Sequence, residues 1–485
     1  MSGVPPKLAF VRQVEAPQLP APPSESGIQG WLIKNLFSSP VNSLLTVVFG
    51  VFTIWFAWGI LDWMVVRAAW TGVDREACLF ENAGACWPVV VAKFPQWIYG
   101  FFPIEERWRV NTCFIVGAAA LIPMMMPSVP HKFWNALFLL VAYPLMTLIL
   151  LTGGHFGIGL GTYATVGCIL LLAAAALSVA ALGVEEAVSH NRAGLGLAVA
   201  ALAAWLLSFM VNIPPLVIAG LSLAAGVLSL VAALRAGGRS FVLAWAVLSA
   251  GILAAMLTLD IDFGLVPVET PQWGGLTVTL IVAITGMVAS LPLGILLALG
   301  RRSQMPVVRM FSVIFIELWR GVPLITVLFM SSVMLPLFLP EGTNFDKLLR
   351  ALIGVALFTS AYMAEAIRGG LQAIPKGQYE GAMALGLSYW QMTIKIILPQ
   401  ALKISIPNIV SNFIGLFKDT TLVSIVGIFD LLGIVRAGLK ETIWASPSST
   451  PTAYFALALM FWIFCFGMSR YSMFTERRLH TGHKR

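Results

Sequence analysis

Apolar runs dominate the chain. They fall at roughly 42–67, 111–129, 133–152, 162–183, 194–211, 213–234, 240–259, 274–300, 305–338, 348–372, 400–437 and 452–472, and a run of about 18 residues or more is long enough to cross a hydrocarbon core of roughly 30 Å. The length rule predicts an all-α, polytopic helical membrane protein with about 12 transmembrane helices. The segments that begin at 305 and 400 exceed one span. Each is expected to contain a broken or interfacial portion besides a crossing.

One polar interruption differs from the other loops. The stretch QYEGAMALGLSYWQMTIKIILP (378–399) is of mixed polarity and carries two glycines among small residues. Pro375 suits a helix start, where its missing N–H costs little, and helix-compatible residues run from Lys376 to Leu385. Gly386 then suits a helix end, because it takes the left-handed conformation cheaply. Ser388 with Gln391 three residues later predicts a capping box and a second short helix. Pro399 is expected to break the pattern before the next span. Gly381, Ala382, Ala384 and Gly386 predict a low-relief surface, with Glu380 and Tyr389 as polar anchors at its edges. This is a docking element on physical grounds, the alternative being a merely structural loop.

Composition strengthens the membrane reading: 59% of the 485 residues are hydrophobic, 11% are charged, and the mean hydropathy is +0.88. A soluble domain carries about a quarter charged residues. The net charge of +8 follows from where the basic residues lie, and nucleic acid is not an expected partner. With the N-terminus inside, His131, Lys132, Arg192, Arg235, Arg239, Arg301, Arg302, Lys376, Lys395, Arg477, Arg478, Lys484 and Arg485 fall on the inner side, as the positive-inside rule requires. The outer loops are more mixed, with Asp74, Arg75, Glu105, Glu106, Arg107, Arg109, Glu341, Asp346 and Lys347. Both termini are therefore expected in the cytoplasm. Residues 1–40 read as a disordered cytosolic tail and 476–485 as a basic one.

Cysteine chemistry adds one expectation. Cys78 and Cys86 share the first outer loop, and an oxidising compartment would permit a disulfide there. Cys113, Cys168 and Cys465 lie in apolar spans and read as small core residues. No Cys/His cluster has zinc-like spacing, so no metal is expected.

The run Glu380-Gly381-Ala382, Gly386, Ile396, Leu398-Pro399 resembles the EAA motif of binding-protein-dependent ABC importer permeases. The phrases WGGLTVTL, SLPLGILLALGRRS, IELWRGVPLITVLF, AYMAEAIRGGLQAIPKGQ and LFKDTTLVSIVGIFDLLG look like the polar amino acid branch, which serves histidine, glutamine, arginine, glutamate and related substrates. The resemblance is dense over roughly 270–475, and the segments before 158 look like the M-type permease subunit of a general L-amino acid uptake system. It implies a type I permease core at 263–475 with its coupling loop at 376–399, behind N-terminal transmembrane helices at 41–157. The implied partners are two ATP-binding subunits, a second permease subunit, a periplasmic amino acid-binding protein, an L-amino acid substrate and the lipid bilayer of a bacterial inner membrane. Two features depart from the pattern: Gly381 replaces the middle Ala, and residues 158–262 form an insertion expected to be an accessory bundle of about four helices.

Several polar residues within the spans are candidates for the substrate path. Ionisable groups in a membrane are costly and point to function. Glu365 and Arg368 stand one turn apart and either contact a zwitterionic amino acid or merely pair with each other. Lys418, Asp419, Thr420 and Thr421 fall inside 400–437, where a broken helix would offer charges and backbone groups to an ammonium and a carboxylate. A self-paired Lys418–Asp419 bridge is the alternative. Trp319 and Arg320, with Gly321 and Pro323, shape the path or simply pack.

No G-x-x-x-x-G-K-[ST] pattern or catalytic triad occurs in the sequence, so no catalytic residue and no cofactor is expected. ATP hydrolysis would then occur on another polypeptide. A secondary, ion-coupled amino acid transporter is the alternative function. It predicts internal symmetry between halves, which the sequence lacks.

Overall fold

The structure is a computed structural model that describes residues 27–182, 184–208, 214–236, 238–338 and 346–479. Most of the expected N-terminal tail, the loop carrying Glu341 and the last six residues of the basic tail lie outside the described residues. In chain order the principal helices are α1 (Pro40–Leu61), α2 (Trp87–Tyr99), α3 (Arg107–Met125), α4 (Lys132–Thr152), α5 (Leu160–Leu182), α6 (Val184–Leu207), α7 (Pro215–Arg235) and α8 (Arg239–Asp260). They continue as α9 (Gly275–Arg301), α10 (Pro306–Gly321), α11 (Leu324–Phe329), α12 (Lys347–Gln372), α13 (Lys376–Ala384), α14 (Tyr389–Met392, continuing through Leu398–Asp419), α15 (Leu431–Gly438) and α16 (Ser449–Leu479).

Among the described residues, each of the twelve apolar segments falls mainly on helix. Among the described residues ten helices are long and apolar enough to cross a membrane, or eleven if one bent pair counts as a span. The segment at 194–211 differs: its apolar helix covers only Asn191–Leu207, beyond a kink at Asn191 (φ −136°, ψ 28°). The long segment from 305 is the bent pair, with α10 and the helix that follows it meeting at 105°. Val322 and Pro323 are both extended at the corner, because a residue before proline is pushed out of the helical region.

The chain divides into two compact units. In the first (Met1–Phe94 with Ala437–Leu459), α1 buries no residue. It is apolar all round, as suits a helix surrounded by lipid. Ser39 caps its start by accepting from Asn42 N at 3.2 Å. The loop after it is closed by a Cys78–Cys86 disulfide, Cα to Cα 5.7 Å. This loop packs on the segment leading into α16: Arg75 N donates to Ile443 O (2.8 Å), Cys86 N to Thr452 Oγ1 (2.8 Å), and Lys93 pairs with Glu441. The two cysteines, Val89 and Trp444 form a small buried core there.

In the second unit (Pro95–Arg436 with Met460–Arg485), α9, α12 and α14 pack together through small residues. A Cβ on Gly294 would stand 2.7 Å from Met363 Cβ, and one on Gly370 would stand 2.4 Å from Ala401 O. Such contacts bring backbones close where lipid supplies no hydrophobic drive between helices. Ser405 Oγ donates across that seam to Ala366 O (3.0 Å).

Helices α5–α8 follow a strap in which two chain segments run antiparallel. Val268 N donates to Thr152 O (3.0 Å), Phe156 N to Leu259 O (3.2 Å) and Ile158 N to Asp260 Oδ1 (2.8 Å), while Gly154 pairs with Asp262. Buried Arg109 donates to Val266 O (2.7 Å) and pairs with Glu106 (2.7 Å). Entry and exit of the 158–262 segment are thus adjacent. Inside it, Ala174, Ala175, Ala201, Ala225 and Gly226 make close helix contacts. A buried Asn191 Nδ2 donates to Ser229 Oγ (2.8 Å), which donates to Ala225 O (2.7 Å).

Candidate functional site

The 376–399 stretch forms two helical pieces joined by a tight turn. Pro375 precedes α13 in an extended conformation (ψ 141°), as a residue without an N–H to pair should. At the other end, Gly386 is left-handed (φ +71°). Leu387 N donates to Ala382 O (3.2 Å) and Gly386 N to Met383 O (2.9 Å), the two bonds of a Schellman motif that satisfies the terminal carbonyls. Ser388 accepts from Gln391 N, and Gln391 Oε1 accepts from Ser388 N (3.1 Å), which completes the capping box.

The surface of this turn is exposed and low. Glu380 and Gly381 are exposed, and nothing lies within 4 Å of a Cβ built at Gly381 or Gly386. Tyr389 is exposed as well, edge-on to Trp390 at 5.3 Å. Ala382 departs from the expectation. It is 2% exposed and packs with Leu371, Ile374, Met392 and Ile397, so its small size seats α13 on its own chain and adds nothing to the outer surface. Three residues missed by sequence reasoning do lie on that surface: Met383 (59% exposed), Leu385 (77%) and Trp390 (57%). Their signal was apolar residues standing in a segment too polar to be a span.

Pro399 does not end the second helix. The chain passes through a π turn at Thr393–Ile397 into Leu398–Asp419 within one apolar stretch, Tyr389–Val426. The wider turn pairs Leu398 N with Thr393 O, a register in which a proline lacking its N–H is accommodated.

Glu365 lies seven residues before the end of α12, roughly 10 Å in from the turn end of the core at the helical rise. Its carboxylate gathers three arginines: Arg368 Nη2 at 2.7 Å, Arg301 Nη1 at 2.8 Å and Arg320 Nη1 at 3.7 Å. Arg368 also donates through Nε, so that pair is two-pronged. Arg301 is shared with Glu317 (2.9 Å). Side-chain exposure is 16% for Glu365 and 26–37% for the three arginines. Five charged side chains from α9, α10 and α12 therefore form one network with an excess of one positive charge. Arg320 is its loosest member, lying over the Tyr362 ring at 5.8 Å. The corner at Val322–Pro323 follows directly after it, and neighbouring Trp319 packs against Phe315 and the core. Sequence reasoning had Glu365, Arg368 and Arg320, yet missed Glu317 in the same IELWRGVP phrase and used Arg301 only for topology.

Lys418, Asp419, Thr420 and Thr421 do not join this network among the described residues. The α-helix ends at Asp419 and a 3-10 turn covers Thr420–Val426, so the helix is broken at that point. It lies about 30 Å along α14 from Leu398 by the helical rise, at the opposite end of the core from the turn. Lys418 and Asp419 are exposed, and among the described residues neither is in an ion pair. The two threonine hydroxyls are occupied by their own helix: Thr420 donates to Phe417 O (2.8 Å) and Thr421 to Lys418 O (2.9 Å). Just beyond, buried Asp430 accepts from Leu432 N (3.1 Å) and Gly433 N (2.9 Å) and caps α15. Burial pushes its carboxyl up to about 6, against the pull of those N–H groups and of Arg436.

Among the described residues no group of three or more His, Cys, Asp or Glu is placed to hold a metal.

Comparison with known proteins agrees. The family described as "Binding-protein-dependent transport system inner membrane component" matches residues 290–481. The inner membrane amino-acid ABC transporter permease protein YhdY of Escherichia coli K12 is 40% identical, over 96% of this chain and 97% of its own. The glutamate/glutamine/aspartate/asparagine transport system permease protein BztC of Rhodobacter capsulatus is 41% identical, over 98% and 99%. A solved amino acid ABC transporter with histidines is 28% identical, covering 42% of this chain and 92% of that one, with a TM-score of 0.38. With full-length relatives at this identity and ten or eleven membrane-length helices, the chain belongs to the multi-pass permeases of amino-acid ABC transporters.

Proposed function

We propose that this permease is one membrane-spanning subunit of an ATP-driven, binding-protein-dependent importer of L-amino acids, with both termini on the cytoplasmic side of a bacterial inner membrane. Its partners are a second permease subunit, two ATP-binding subunits and a periplasmic amino acid-binding protein. The observation that carries this reading is the exposed surface around α13: Glu380, Gly381, Met383, Leu385, Gly386, Tyr389 and Trp390 stand clear of the chain. An apolar, low-relief patch on a rigid, doubly capped turn suits a groove on a partner.

Closure of the ATP-binding subunits moves this turn, and the motion passes into α12 and α14, between which it is inserted. The Glu365 network lies at that end and controls the inner opening of the path, while Lys418 and Asp419 face the path at its outer end. The substrates of the relative from Rhodobacter capsulatus make glutamate, glutamine, aspartate and asparagine the first amino acids to test. The 158–262 segment is an accessory bundle outside the transport core.

Purifying the complex from native membranes and identifying its subunits by mass tests the reading. Co-purifying ATP-binding subunits and ATP-dependent uptake in proteoliposomes are expected. A chain that purifies without such subunits and accumulates amino acids on an ion gradient alone would overturn it.

A further inference from the structure

Arg301 ends α9 and Arg302 caps it, and the two arginines reach different neighbours. Successive helix residues point about 100° apart. Arg301 turns toward α10 and α12, where it binds Glu317 and Glu365. Arg302 turns toward the docking turn. Its Nη1 donates to Leu371 O (3.2 Å), at the end of α12, and to the Tyr379 hydroxyl (3.0 Å) on α13. Its guanidinium also lies over the Tyr379 ring at 5.5 Å, and the Tyr379 hydroxyl donates to the same Leu371 O (3.4 Å). Arg302 thus holds the docking helix by a hydrogen bond and a cation–π contact, one residue from the arginine that holds the Glu365 network.

We infer that Arg302 and Tyr379 form a clasp that transmits motion of the docking helix to the Glu365 network through Arg301. The inference deepens the docking assignment made above and rests on it. α13 touches the core through the apolar seat under Ala382, which resists separation and permits sliding, and through one exposed hydrogen bond, Gln400 Nε2 to Gln378 Oε1 at 3.2 Å. The clasp adds a directional link, because one guanidinium nitrogen donates to both Leu371 O and the Tyr379 hydroxyl while the guanidinium lies over the Tyr379 ring. A displacement of Tyr379 pulls on the last turn of α9, and Arg301 on the same turn must then move against Glu365 and Glu317. Glu365 holds Arg368 and Arg301 closely and has Arg320 at 3.7 Å, so a shift of Arg301 away from it leaves a further arginine within reach to take its place. Arg302 and Tyr379 are positioning residues: they touch no substrate and no nucleotide.

The test uses the whole purified complex in proteoliposomes, with uptake and ATP hydrolysis measured on the same preparation and expressed per assembled complex. Arg302→Met should leave ATP hydrolysis near the parent value and lower substrate moved per ATP by about fivefold, the shift expected from one hydrogen bond of ordinary net strength. Arg302→Lys, which keeps the charge over the ring, should recover most of that ratio. Tyr379→Phe should lower it less, and the double variant should be no worse than Arg302→Met alone, since both remove one link. An unchanged ratio in Arg302→Met, or losses that add in the double variant, overturns the clasp. If Arg302→Met does not assemble, Tyr379→Phe decides alone, and an unchanged ratio there overturns it.

Gly381→Trp separates the clasp from the docking reading, because Gly381 is on the outer surface, a Cβ there stands in open space, and Gly381 makes no contact with Arg302 or Tyr379 that the substitution would remove. It should lose the ATP-binding subunits. Normal assembly and uptake by Gly381→Trp would refute the docking surface itself. Loss of assembly there, with an unchanged ratio in Arg302→Met, would refute only the clasp.

Discussion

Substitution of Gly386 isolates the backbone of the proposed docking turn. The residue holds φ +71°, and a Cβ built on it meets no atom within 4 Å. A side chain there costs conformational energy without colliding with the rest of the chain. The left-handed region costs an L-residue roughly 1–2 kcal/mol and is visited most readily by Asn. β-branching adds crowding at χ1, which places Val at about 2 kcal/mol, Ala at about 1 kcal/mol and Asn lower. When the turn opens it releases two bonds, Leu387 N to Ala382 O and Gly386 N to Met383 O. A cost of about 2 kcal/mol shifts the closed turn against its open forms by roughly thirtyfold, while one far smaller leaves it nearly intact. The assay is ATP-dependent uptake per assembled complex for Gly386→Asn, Gly386→Ala and Gly386→Val, with thermal stability of the membrane subunit followed alongside. Uptake should fall in that order and the melting of the spans should not change. Equal losses in Asn and Val would refute the conformational argument, since bulk at the surface would then be the cause. Normal uptake by Gly386→Val would remove the turn from coupling.

Three further outcomes are expected. Asp430 is held up to about 6 by burial, above its ordinary 3.8, so the folded state binds its proton more tightly than the unfolded state and its favourable contribution, at most about 3 kcal/mol, is lost as pH rises from about 4 through 6; Asp430→Asn, which keeps a capping oxygen, should therefore melt higher than the parent at pH 7.5 and alike near pH 4, and parallel curves at both would refute the assignment. Cys78 and Cys86 should appear as one linked peptide by mass spectrometry without reductant, and replacing both with Ala should cost about 2.5 kcal/mol by the loop-closure relation for so short a loop; two alkylated free thiols in quenched native membranes would rule the bridge out. Excising Gly159–Ile261 should leave uptake per folded complex largely intact, because Ile158 N already meets Asp260 Oδ1 at 2.8 Å and the cut ends need little closing; a shortened chain that assembles with its partners and transports nothing would place the bundle in the mechanism.

Local rules reached the docking turn because every part of it is decided within about four residues. A left-handed Gly386, a Ser388–Gln391 box and a helix that starts beside Pro375 each follow from the residue and its near neighbours. The same kind of rule failed at Pro399, since a missing N–H breaks a helix only if the register is kept, and the π turn at Thr393–Ile397 changes it. Side-chain direction on α13 was also out of reach. The spacing of small residues cannot tell which of Gly381 and Ala382 faces inward, and that depends on α12 and α14 standing beneath. The Glu365 network lay further off still. Its i,i+3 partner Arg368 is a helix-surface rule, but Arg301 stands 64 positions away and arrives only because α9 and α12 approach through residues as small as Gly294. What decides whether Glu365 is a spent ion pair or a movable one is thus a packing property of two spans. By the same logic Lys418 and Asp419, adjacent in sequence and exposed, have no ion-pair partner among the described residues, and two exposed opposite charges at a helix break are costly in lipid and inexpensive only beside water, a substrate or another subunit.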